Sequence, residues 1–214
     1  MKLSSKAVDI LTQISEKNTK FGDLRKIAAD IKKDQDLAME LWSTEQFFAR
    51  QLAILLMDKK LLSQELIDKL VSDMETHRED ESLQLIDWFL ANQLSKDKKT
   101  IALMERWENS QSSLQRRTFW YYQARLRWTG QIPPPNTEAL LTTIEHRIEK
   151  EVPEVQWAMN FTVAQIGIFQ ENYRKRCIAL GERTGLYKDE MVGKNCTPNY
   201  LPKFIAIQVA KLNS

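Results

Sequence analysis

The chain has 214 residues, 43% hydrophobic and 28% charged, which is enough for a substantial core and too apolar for a disordered chain. Its 31 lysines and arginines against 29 acidic residues leave a net charge of +2, too small to identify a partner, so charge distribution must carry that argument. Two cysteines (Cys177, Cys196) and two distant histidines (His77, His146) give no readable zinc or disulfide framework, and six glycines with six prolines are too few to punctuate a many-stranded β protein.

The opening stretch MKLSSKAVDILTQISEK lacks an apolar secretory core, and no run of about 18 apolar residues follows. A cytoplasmic protein without a membrane span is expected. EQFFARQLAILLM then reads as a buried helix with Phe48, Leu52, Leu55 and Leu56 along one face. In SQELIDKLVSDMET the apolar set Leu66, Ile67, Leu70, Val71 and Met74 forms one helical face, with Ser63 placed to cap it. Ser112 and Gln115 have capping-box spacing at the start of a helix running towards Trp128. Three prolines, Pro133–Pro135, break the chain. TEALLTTIEHRIEK follows, with Leu140, Leu141, Ile144 and Ile148 on one side. Pro153 suits a first helical turn, VPEVQWAMNFTVAQIGIF is apolar nearly all round, and Gly185 suits a left-handed helix stop.

Roughly ten helices joined by short connections, two per unit of about 40 residues, predict an all-α, HEAT-like helical-repeat solenoid, a curved stack of antiparallel helix pairs. One domain over residues 1–214 is expected. A concave face of such a stack suits a long ligand, although architecture alone does not define function.

Three constellations could carry chemistry. In LQLIDWFLANQL, large apolar residues cover most of the helix, and Gln84, Asp87 and Ala91 form a narrow stripe on the remainder. A carboxylate so enclosed has a strengthened field on a nearby cation; the alternative is an ordinary solvent-facing aspartate. In QRRTFWYYQARLRW, the interval from Asn109 to Thr137 holds Arg116, Arg117, Arg125 and Arg127 and no acidic residue. Arg117, Tyr121, Arg125 and Trp128 recur at helical spacing. Guanidinium forks suit phosphates and interleaved aromatics suit bases, while a buried aromatic face with arginines paired to neighbouring glutamates reads equally well. Third, Gln156, Asn160, Ala164 and Gly167 line one side of an apolar helix, a pattern that favours a close helix contact. Arg174, Lys175 and Arg176 form a basic cluster that a solvated face would also explain. No P-loop, dinucleotide turn, nucleophile elbow or H-E-x-x-H occurs, so any chemistry rests on carboxylates and electrostatics.

The same segments resemble the bacterial DNA alkylation repair family, the AlkD-type HEAT-like glycosylases. The resemblance runs through FGDLRKIAADIKKD, Leu41-Trp42, E-x-x-x-A-R-Q-L-A from Glu45 to Ala53, IDWFLANQL, W-x-x-S-x-S-x-L-x-R-R from Trp107 to Arg117, and VQWAMNFTVAQIG from Val155 to Gly167. The tail GERTGLYKDEMVGKNCTPNYLPKF is similar to that of a broad branch. The resemblance implies a protein, expected as a monomer, that grips duplex DNA containing alkylated bases and excises cationic N3- or N7-alkylated purines with no metal or organic cofactor. It implies Asp87 as the catalytic carboxylate and Arg117 as a backbone contact; Arg116, Tyr121 and Arg125 join it as DNA-binding candidates. Leu83 and Phe161 match lesion-flanking positions where active members carry tryptophan; Leu114 and Ala164 depart from the family's tryptophan and arginine. A non-excising binder of DNA structures and a protein–protein scaffold are the competing functions.

Overall fold

A computed structural model describes residues 3–15, 19–128, 131–194 and 196–213; Asn195 of the tail motif lies outside them. Among the described residues there are twelve α-helices, four short 3-10 turns and no strand. The chain divides into two compact units, Met1–Trp107 and Glu108–Ser214.

The first unit holds α1 (Ser5–Ser15), α2 (Phe21–Ile31), α3 (Gln35–Trp42), α4 (Phe47–Leu56), α5 (Gln64–Met74), α6 (Glu79–Asn92) and α7 (Lys98–Met104). Helix α4 is its centre, packing on α2, α3 and α6. The capping serine behaves as its position predicts: Ser63 Oγ accepts from Leu66 N–H at 3.2 Å, supplying one of the donors a helix start leaves unmet. Ile67, Leu70, Val71 and Met74 are buried along α5. Phe48 is a correction. It is 37% exposed, and the inward face of α4 is Ala49, Leu52, Ala53 and Leu56. An almost wholly apolar helix carries no internal mark of which side its neighbours cover.

Two polar residues of α4 are also interior. Arg50 donates to Trp42 O at 3.3 Å and to Asp73 O, and its guanidinium lies 5.1 Å over the Trp42 ring. Burial lowers its pKa, with Asp73 and then Glu45 opposing the shift. Gln51 is fully buried, and neither side-chain amide atom has a hydrogen-bond partner. Gln51→Leu should therefore stabilise the unit by about 1–2 kcal/mol, because an unmet buried amide costs more than an apolar side chain of similar shape. A higher urea midpoint checks this. A lower one would show that the amide is satisfied in solution.

The second unit holds α8 (Ser113–Arg125), α9 (Thr137–Arg147), α10 (Pro153–Phe169), α11 (Glu171–Thr184) and α12 (Leu201–Leu212). Its core helix is α10, which packs on each of the other four. The local signals again hold: Ser112 Oγ accepts from Gln115 N–H at 3.4 Å, Pro153 opens α10, and Gly185 ends α11 at φ 63°. Leu140, Leu141, Ile144 and Ile148 are all buried. The small-residue stripe does serve close approach. A Cβ on Gly167 would stand 2.6 Å from Ile205 Cδ1 of α12 and 3.1 Å from Cys177 Cβ of α11. Its polar members tie down backbone, Gln156 Nε2 donating to Ile148 O and Asn160 Nδ2 to Asn199 O, each at 2.9 Å.

Candidate nucleic-acid interface

In the first unit Asp87 sits half-buried on α6, one turn after the half-buried Leu83 and beside the exposed Gln84. The residue that fixes this stretch is Trp88. Its Nε1 donates to Gln51 O at 3.1 Å, Phe21 of α2 stacks on its ring with centroids 5.1 Å apart, and the Arg25 guanidinium lies 4.6 Å over it. Phe21 and Arg25 are exposed. A half-exposed indole and an exposed cation thus pair at the surface of this unit, and Asp87 directly precedes that indole on α6. Phe21 and Arg25 are four residues apart on a helix, a spacing that was visible in the sequence and went unused.

In the second unit the predicted line on α8 is real. The Arg117 guanidinium lies 5.9 Å over Tyr121, Tyr121 and Trp128 meet edge to face at 6.4 Å, and Arg125 lies 5.0 Å over Trp128. Other helices complete it with Phe161, which the sequence reading assigned, and with Trp157 and Phe204, which it did not. Trp157 of α10 stacks on Phe161 at 5.2 Å with planes 5° apart, Tyr121 contacts both, and Phe204 of α12 meets Phe161 at 6.1 Å. All five rings are half-exposed. Edge-to-face and offset contacts of this kind are favourable in themselves, so the cluster is rigid while still open at the surface.

The four arginines of the acid-free segment divide sharply. Arg127, 1% exposed, is internal: Nε donates to Gln170 Oε1, Nη1 to Gln123 O and Oε1, and Nη2 to Asn136 Oδ1 and Thr137 Oγ1. With only neutral acceptors around it, burial brings its pKa down to about 10. Arg116 forms an ion pair with Glu151 at 3.3 Å and donates to Ser110 O and Gln111 O; Glu151 also takes Arg147 at 2.7 Å. Arg117 is 5% exposed, donates to Glu154 O at 3.1 Å and lies 4.5 Å over Trp157. Arg125 is half-exposed and has no hydrogen bond or ion pair with another described residue. The basic cluster on α11 is similarly committed. Arg174 donates to Gly167 O and Ile168 O, Arg176 pairs with Glu145 and Glu138, and Lys175 is exposed.

Beyond α11, Tyr187 has φ 60°, a left-handed conformation that non-glycine residues seldom adopt. Burial pushes its phenol pKa up, Glu190 adds to this, and the Arg117 charge opposes it. No three His, Cys, Asp or Glu residues among those described form a group able to hold a metal ion. No helix among them is long and apolar enough to cross a membrane.

The family profile described as DNA alkylation repair enzyme matches residues 18–184. The chain belongs to the DNA alkylation repair enzyme family. Comparison with curated proteins gives no significant match. Among solved structures, the fold is similar to a protein of a new family related to the HEAT-like repeat DNA glycosylases, described as having affinity for branched DNA structures. The TM-score is 0.68 at 17% identity, with 98% of this chain and 88% of that one covered. The family member described here therefore has the HEAT-like repeat fold.

Proposed function

We propose that this member of the alkylation repair family binds DNA through its arginine–aromatic surfaces, with residues 1–214 acting as one repair domain. The observation that carries this reading is the rigid, half-exposed cluster of Tyr121, Trp128, Trp157, Phe161 and Phe204 beside the unpaired Arg125 guanidinium. Aromatic faces stack on exposed bases, and a guanidinium fork meets phosphate oxygens. Within that reading the activity is excision of cationic N3- or N7-alkylated purines from duplex DNA. A positively charged base is already a good leaving group, and the fixed negative charge of Asp87 would stabilise the sugar cation that develops as the glycosidic bond breaks. Release of methylpurine from methylated duplex is the direct assay. If wild type releases none, the excision reading fails.

The assigned positions have separate parts in this proposal. Arg125 reaches phosphate, Arg117 and Tyr121 hold Trp157 and Trp128 in place, Arg116 anchors the start of α8, and Leu83 and Phe161 flank the lesion. Arg125→Ala should weaken binding to random duplex about equally for all sequences and lower the salt slope of log K by roughly one. An unchanged slope would remove Arg125 from the interface.

A second reading, binding of branched DNA without excision, is favoured by Leu83, which leaves a lesion-flanking position without an aromatic ring, and by Leu114, which stands where the family carries tryptophan. The solved relative's affinity for branched DNA points the same way. Tight binding to a four-way junction together with no base release would establish it.

A further inference from the structure

One cleft of the second unit has its own chemistry. It encloses about 490 Å³ at the end of α8 against α10 and α12, within the range of roughly 300–1,000 Å³ usual for small-molecule sites. Trp128, Phe161 and Phe204 form its walls, Phe161 standing nearly perpendicular to both neighbours at 90° and 89°. Two primary amides face it. Gln208 is held by Thr197, its Nε2 donating to Oγ1 at 3.2 Å. Gln165 is only 6% exposed, lines the cleft, and makes no side-chain hydrogen bond with any described residue. No charged side chain lines the cavity, and Arg125 sits over the ring of Trp128 at its margin.

The Gln165 amide, without a partner among the described residues, opens onto the cleft, so the occupant that fits is planar, uncharged and aromatic, with a donor and an acceptor side by side on one edge. An apolar protein helix would fill the walls but leave Gln165 unmet. A nucleobase satisfies both requirements: it stacks on aromatic rings, and adenine presents an N6 donor next to an N7 acceptor, the pair a glutamine amide reads. The neighbouring cation then faces the phosphate of the same nucleotide.

We propose that this cleft receives one unpaired nucleobase of bound DNA, walled by Trp128, Phe161 and Phe204, read at its edge by Gln165, with the adjoining phosphate on Arg125. The proposal rests on the DNA-binding reading; it shares Phe161 with the lesion-flanking assignment, and its test reads base binding rather than excision.

The test uses the full chain and three duplexes of one sequence, compared by fluorescence anisotropy: fully paired, with a single bulged adenine, and with a bulged abasic site in its place. The abasic bulge bends the duplex similarly but offers no base. Wild type should bind the adenine bulge about tenfold more tightly than the abasic bulge, the scale of one stacked and hydrogen-bonded base. Gln165→Leu should erase that preference while keeping wild-type affinity for the paired duplex. If circular dichroism shows that Gln165→Leu misfolds, Trp128→Leu just beyond α8 is the second variant, read by loss of the adenine-over-abasic preference alone, whatever its affinity for the paired duplex. Equal affinity for both bulges in wild type would overturn the cleft and leave DNA binding standing. A preference that survives in the folded variant would also overturn it. No binding to any of the three duplexes would defeat the DNA-binding reading itself and take the cleft's ligand with it.

Discussion

Asp87→Asn is expected to cut single-turnover release of N3- or N7-methylpurine from duplex DNA by about 10²–10³-fold, the scale for removing one preorganised electrostatic group. The substitution keeps the shape and most of the hydrogen-bonding capacity of the side chain and deletes its charge. The half-buried position on α6, next to a Trp88 fixed by Gln51, Phe21 and Arg25, holds residue 87 in place in both proteins. Binding to undamaged duplex should stay the same or tighten slightly, because a carboxylate near the interface repels phosphates. Parallel excision and binding measurements decide the matter. Full activity in the variant would move the electrostatic role to another residue. Loss of excision together with an equal loss of binding would point to a folding defect instead.

The second large effect concerns stability. Arg127→Met should destabilise the second unit by about 3 kcal/mol. At neutral pH the folded protein holds this guanidinium charged against its preference: its folded pKa, brought down to about 10, lies below that of an unfolded arginine, so burial of the charge costs stability there. Five hydrogen bonds to Gln123, Asn136, Thr137 and Gln170 offset that cost. Bonds to a charged donor contribute roughly 1.5–3 kcal/mol each, and methionine would relieve the charge but strand several acceptors. The urea midpoint measures the balance, and an unchanged midpoint would mean that the two contributions cancel. Affinity for DNA should not change, since Arg127 is 1% exposed.

Arg127 also illustrates where sequence reasoning reaches its limit. Local signals were legible because their causes lie within a few residues. Ser63, Ser112, Pro153 and Gly185 act on the turn next to them, and the faces of α5 and α9 follow from spacing alone. The four arginines between Asn109 and Thr137 formed a single basic signal in sequence, yet their surroundings come from other helices. Glu151 takes Arg116, Trp157 and Glu154 take Arg117, a set of neutral amides and a hydroxyl takes Arg127, and only Arg125 is half-exposed without a hydrogen bond or ion pair to another described residue. Phe48 failed for the same reason, as α4 is apolar on too many sides to announce its inner one. Three of the five rings were legible: Tyr121 and Trp128 are seven residues apart on one line, and Phe161 came from the family resemblance. Phe204 was not, because α12 reaches α10 from the far end of the chain. Gln165 gave no signal at all: a single amide among the apolar residues of α10 looks unremarkable until a cavity is seen beside it.

The six tryptophans sort into two spectroscopic classes. Trp42, Trp107 and Trp120 are sealed inside, at 2%, 3% and 0% exposure, and should emit at short wavelength whatever the protein binds. Trp88, Trp128 and Trp157 stand half-exposed at the two candidate surfaces. The molecule thus carries intrinsic optical reporters where ligands are expected and silent ones elsewhere. Trp88→Phe leaves Trp128 and Trp157, both in the aromatic cluster, as the only half-exposed emitters, so titration of that variant with bulged DNA would follow occupation of the second unit without an attached dye.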